Sequence, residues 1–128
     1  MSVGVHIVDG PIGADRAGSV GPGVGARVVF DGIVRGEENG RVIDALEYEA
    51  YEPMATKELE RLSREMLGRH GLAKIEVWHS RGRVGVGEVS FRLVVESAHR
   101  KEAIAAMDEF IDRMKRDVPI WKRAGVAR

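Results

Sequence analysis

The sequence predicts an α+β fold in which a mostly antiparallel sheet carries two main helices on one side. Two observations point there. Apolar residues recur at helical spacing in two stretches, one opened by Pro53 and one from about His99 to Asp117. The remaining apolar segments are short, and either β-rich or alternating. The resulting order is three strands, a helix, two strands, a helix and a short extension. A length of 128 residues fits one domain, 1–128, able to bury roughly two-thirds of its unfolded surface.

Val3 to Val8 reads as the first strand. Asp9 to Gly25 is rich in glycine and holds Pro11 and Pro22, which marks a loop. Ala26 to Val34 (ARVVFDGIV) is β-rich and ends at Arg35, and Gly36 to Gly40 (GEENG) is turn-forming. Val42 to Tyr51 (VIDALEYEAY) alternates apolar and polar residues, the period of a half-buried strand. Pro53 then opens a helix where proline is best tolerated. Its stripe is Ala55, Leu59, Leu62 and Met66, with Glu60–Arg64 and Arg61–Glu65 spaced to pair on the wet side. His70-Gly71 supplies a glycine stop. Lys74 to His79 and Glu88 to Glu96 are two further strands, joined by the glycine-bearing link SRGRVGVG. The last helix presents Ala103, Met107, Phe110, Ile111 and Met114; Pro119 stops it, and PIWKR follows as an extended tail.

The composition, 44% hydrophobic and 31% charged, is that of a soluble globular chain. No apolar run approaches the ~20 residues of a membrane span. The start MSVGVHIVDG lacks the basic and apolar regions of a signal peptide, so a cytoplasmic location is expected. Twenty basic residues balance twenty acidic ones, which argues against a nucleic-acid binder. From His99 to Arg128, however, eight basic residues face five acidic ones, a mild bias that suits a small anionic ligand. Cysteine is absent, which excludes disulfides, thiolate metal sites and cysteine nucleophiles. Any sulfur chemistry would need its sulfur delivered by another molecule.

Three features could carry chemistry. His99, Arg100 and Lys101 stand at a helix start, against the helix dipole, as if to share an anion with the backbone N–H groups. Solvated residues on an exposed first turn are the simpler reading. Lys115 and Lys122 bracket Pro119-Ile120-Trp121. Lys115 suits the helix C-terminus by charge alone. Lys122, if held in an apolar setting by the rigid PIW segment, could serve as a base or nucleophile. Arg35 closes a strand, where an arginine can take a phosphate in bidentate fashion or simply sit in a turn. The glycine patterns at 21–25 and 82–87 lead into strands and are turns, not phosphate loops. The four histidines show no metal-ligand spacing, so no metal site is expected.

Phe30 to Ala55 (FDGIVRGEENGRVIDALEYEAYEPMA) and Ser97 to Arg123 (SAHRKEAIAAMDEFIDRMKRDVPIWKR), linked by HSRGRVGVGE, resemble the signatures of the molybdopterin synthase large, catalytic subunit family. The resemblance covers most of the chain with its motifs in order. It implies an α/β-hammerhead fold and a homodimer. It also implies a small ubiquitin-like partner whose C-terminal Gly-Gly thiocarboxylate threads into a pocket, giving a heterotetramer. The implied substrate is cyclic pyranopterin monophosphate (precursor Z), which receives two sulfurs to become the dithiolene of molybdopterin, without metal or organic cofactor. It assigns Arg35, His99 and Arg100 to the phosphate and pterin, and Lys115 and Lys122 to the thiocarboxylate as the catalytic pair. Met114 and Ile120 become pocket walls. Ala124 stands where the family usually has Glu, and Ser80 where an arginine commonly follows the strand histidine. The rival reading is a non-catalytic dimeric module that binds a small anion or a partner peptide.

Overall fold

The computed structural model describes residues 2–124. Strand β1 (Ser2–Asp9) opens the chain and β2 (Ala26–Ile33) follows the glycine-rich segment. A small hairpin of β3 (Glu37–Glu38) and β4 (Arg41–Val42) precedes β5 (Ala45–Ala50). Then come α1 (Met54–His70), β6 (Lys74–Gly85), β7 (Val89–Ser97), α2 (Arg100–Asp117) and β8 (Ile120–Ala124). The main sheet runs β2-β7-β6-β5-β8, antiparallel throughout, and β1 joins it by pairing parallel to β6. This is the expected α+β class.

Three elements differ from the sequence reading. The link after His79 is no link: β6 continues through it to Gly85 and serves two neighbours in succession. Its first part, Lys74 to Arg81, pairs with β1, and Gly82 to Gly85 pairs with β5. Gly82, at φ 84°, lets the strand turn between the two partners without breaking. The tail after Pro119 is also a strand, β8, in register with β5 from Leu46↔Ala124 to Ala50↔Ile120. Pro53 is the N-cap residue and not the first helical one, and Glu52 supplies the capping acceptor by taking the Thr56 N–H at 2.8 Å.

Both helices cover one face. Leu59, Leu62 and Met66 of α1 and Ala103, Phe110 and Met114 of α2 meet Ile75, Val77, Leu93 and Val95 of the strands in one buried core. These are the stripes that the helical spacing marked. On the wet side Arg61 reaches Glu65 at 3.4 Å and Glu58 at 2.9 Å, whereas Glu60 and Arg64 form no ion pair. Gly71 ends α1 in the left-handed conformation, at φ 63°.

The opposite face is not bare, as a sheet covered on one side only would be. Every β7 residue from Ser90 to Ser97 is buried; Phe91, Leu93 and Val95 lie in the core under the helices, while Arg92 on the other face is held by the segment between β1 and β2. Arg92 donates to the Gly13 carbonyl at 2.6 Å, Ser80 Oγ to the Gly10 carbonyl at 2.6 Å, and Arg27 makes two 3.0 Å bonds to Asp15. At its end, Gly25 donates to the Ser97 carbonyl at 3.0 Å. A Cβ at Gly25 would lie 2.3 Å from the backbone oxygen of Ala98, so only a glycine fits.

Candidate functional site

The end of the sheet and the last turn of α2 enclose a cleft of about 610 Å³. Each cation there is placed by a different element. Arg35 follows β2, Lys115 sits in the last turn of α2, and Lys122 stands on β8. Met114 and Ile120 form part of the wall. Five of the seven residues assigned from the sequence thus come together. Met114 is buried by the core, whereas Arg35 and Lys115 are exposed and have no ion-pair partner among the described residues.

Lys122 does not sit in an apolar setting, the condition under which it would serve as a base or nucleophile; it is a partly solvated lysine. Its side chain is 53% exposed, and its Nζ lies 3.3 Å from Glu38 Oε2, on the β3–β4 hairpin. Trp121 beside it is itself exposed, so the PIW segment gives no dry enclosure. Pairing with β5 is what fixes this lysine, through Tyr48↔Lys122.

His99 and Arg100 do not line the cleft. His99 is the N-cap of α2, its side chain 81% exposed, and its backbone N–H donates to Glu102 at 3.3 Å. Fifteen residues of helix at 1.5 Å each place Arg100 about 22 Å from Lys115. No small ligand touches both within one chain.

The cleft floor holds polar groups that the sequence reading passed over. His79 is buried at 6% exposure, with the rings of Tyr48 and Phe91 at 5.3 and 5.9 Å. Its Nδ1 lies 2.8 Å from the Ser80 carbonyl, which can only accept. Nδ1 therefore carries the proton and Nε2 is left as an acceptor. Burial pulls the His79 pKa below the ordinary histidine range, against the smaller opposing effect of the Ser80 bond. Tyr48 donates to Ser90 Oγ at 3.0 Å, and Ser90 in turn reaches the Gly32 carbonyl at 3.5 Å. The signal for His79 was present: it continues the inward alternation of Ile75 and Val77.

A smaller depression, of about 460 Å³, lies under the glycine-rich segment on the opposite face. It too contains cations, and three of the four are matched: Arg27 with Asp15, Lys74 with Glu76, and Arg92 with Asp31, while Arg16 has no ion-pair partner among the described residues. Among the described residues no group of three His, Asp or Glu side chains could hold a metal ion. No helix is long and apolar enough to cross a membrane.

Fold and cleft define the class: an α+β protein with a cationic pocket at a sheet end, suited to an anionic ligand. The family model described as "MoaE protein" matches residues 8–117, and the chain belongs to that family. It is 43% identical over 99 residues to a molybdopterin synthase catalytic subunit of Pyrococcus abyssi, covering 77% of this chain and 67% of that relative. To the protein of the same name in Staphylococcus carnosus it is 39% identical over 120 residues, covering 92% and 80%. The Dictyostelium discoideum relative is 43% identical, and the match spans 64% of its length. The structure of molybdopterin synthase from Staphylococcus aureus superposes with a TM-score of 0.86 at 35% identity, covering 96% of this chain and 90% of that one. A complex of subunits 1 and 2 of molybdopterin-converting factor from Helicobacter pylori gives 0.74 at 27% identity, covering 94% and 83%.

Proposed function

We propose that this chain is a molybdopterin synthase catalytic subunit acting as one domain. It moves sulfur from the C-terminal thiocarboxylate of a small ubiquitin-like subunit to cyclic pyranopterin monophosphate. The observation that carries this reading is the convergence of Arg35, Lys115 and Lys122 on one cleft in a chain of this family. Two of these cations, Arg35 and Lys115, have no counter-ion among the described residues, which suits a site for a phosphate and a thiocarboxylate. Lys115 and Lys122 flank the thiocarboxylate and stabilise the negative charge that develops on its oxygen and sulfur as the acyl carbon is attacked and its bond to the transferred sulfur breaks. Arg35 takes the phosphate, and Met114 and Ile120 wall the site.

His99 and Arg100 act in this scheme from the second protomer of a homodimer, since their own helix holds them about 22 Å from Lys115. A small subunit docked at each cleft completes a heterotetramer, the kind of partnership named for the Helicobacter pylori complex. The reaction is placed in the cytoplasm and draws on no metal or organic cofactor.

The test combines the purified protein with thiocarboxylated small subunit and precursor Z, and reads molybdopterin as its oxidised fluorescent derivative. Product that requires both additions is expected. A stable complex without product would sink the catalytic reading and favour a non-catalytic binding module.

A further inference from the structure

The cleft contains one feature that works against anion binding. Glu38 points its carboxylate at Lys122, 3.3 Å away and 84 positions along the chain. The other acid at the cleft, Asp31, is already committed to Arg92 through bonds of 2.6 and 3.2 Å. Glu38 has no such second cation.

A built element delivers it. Glu38 pairs with Arg41 across the β3–β4 hairpin, whose turn is Asn39-Gly40 with φ of 52° and 77°. Positive φ at both turn residues is the geometry that closes a two-residue hairpin tightly. The hairpin base is fastened by the Ile43 N–H to the Gly36 carbonyl at 3.1 Å, beside the buried cluster of Val34, Ile43, Leu46 and Val84. The Glu38 side chain is 20% exposed and that of Lys122 53%. A pair this wet contributes little to stability and exchanges readily. Fold stability therefore does not account for a carboxylate placed in a cationic cleft.

We propose that Glu38 is a positioning residue for Lys122. Its carboxylate holds the ammonium toward the cleft between turnovers and yields it to the terminal thiocarboxylate of the partner subunit. This rests on the functional reading above. Glu38 and the incoming end group have the same charge and similar planar geometry, so they compete for one ammonium. The competition weakens partner binding and keeps Lys122 aligned.

The variant Glu38→Gln separates this from a structural role, because the two effects have opposite signs. The binding probe is the small subunit with an ordinary Gly-Gly carboxylate terminus. Its Kd should tighten by about fivefold, the scale of one exposed ion pair. In the sulfur-transfer assay kcat should fall by a similar factor. Glu38→Asp keeps the charge but shortens the reach, so both its Kd and its kcat should fall between those of the wild type and Glu38→Gln. Glu37→Gln, on the exposed side of the same hairpin, should change neither, and the thermal midpoints of all three variants should match the wild type. A Kd that is unchanged or weaker in Glu38→Gln overturns the proposal, and so does an unchanged kcat. A wild-type chain that binds the small subunit but makes no product refutes the catalytic reading alone, leaving the Kd comparison to decide on Glu38. One that does neither removes both.

Discussion

Two depressions on this molecule contain several cations each, and they differ in what those cations touch. Under the glycine-rich segment, three of four cations, Arg27, Lys74 and Arg92, each face a carboxylate, Arg16 alone faces none among the described residues, and Arg92 also clamps the Gly13 carbonyl. At the end of α2, Arg35 and Lys115 face none among the described residues, and Lys122 faces one that a partly exposed contact can release. A count of positive charges would rank the depression under the glycine-rich segment first, with four cations against three. The pairing pattern separates a fastening from a site, because a cation whose charge is already met by protein has little left for a ligand.

The largest test of that contrast is Lys115→Ala. It should lower kcat by about 10²–10³-fold, the usual loss when one preorganised charge-stabilising group is removed, while pterin binding persists. Proportionate loss of binding and turnover would show a binding role only.

Next comes Arg92→Ala on the other face. It strips Asp31 and Gly13 of their partner at a side chain only 7% exposed. A loss of about 2–3 kcal/mol in urea unfolding is expected, somewhat below the figure for a fully buried pair because Asp31 is partly wet. An unfolding midpoint close to the wild type would mean that the glycine-rich segment is held by other contacts.

His79 gives a smaller effect with a defined pH window. Burial lowers its folded pKa, so the unfolded chain binds the proton first as the solution is acidified. The neutral-form stabilisation is complete above the unfolded value of 6.5 and is lost as pH falls from there to the folded pKa. The slope cannot exceed about 1.4 kcal/mol per pH unit for one proton. His79→Phe should flatten the part of a stability-versus-pH curve that begins below 6.5. An unchanged curve would show that His79 does not govern it.

The smallest effect should come from Arg27→Ala. It breaks a partly exposed pair with Asp15, worth about 1 kcal/mol at most, and a 3.5 Å contact with the buried Glu96, and turnover per folded molecule should stay the same. A marked fall in kcat would break the contrast between the two faces.

The helices were legible because their signal is local: Leu59, Leu62 and Met66 declare a buried stripe wherever the chain goes. Gly71 ended α1 as its residue type suggests. The strands that were misread depend on distant partners. Glycines at 82 and 85 look like breaks, yet β5 pairs across both and keeps β6 extended. The tail after Pro119 has five strand residues and no pattern of its own, and only β5 makes it a strand. The site shows the same division. Sequence motifs selected seven residues, and five share a cleft; the separation of Arg100 from Lys115 follows already from the helix read over His99 to Asp117, whereas motif order alone grouped the two together. Glu38 was passed over inside a turn signal, and its significance arises only where the hairpin meets β8.

Gly25 lies in the stretch of sequence that looks most permissive, among prolines, glycines and small residues. Its missing side chain nevertheless lets that stretch rest directly on the carbonyl of Ala98, the residue before the α2 cap. In a saturation scan the segment from residue 10 to 24 should accept many replacements, and position 25 almost none. Even alanine there would shove the launch point of α2 and swing His99 and Arg100 out of line, so a substitution far from the cleft would be felt by whichever protomer those two residues serve.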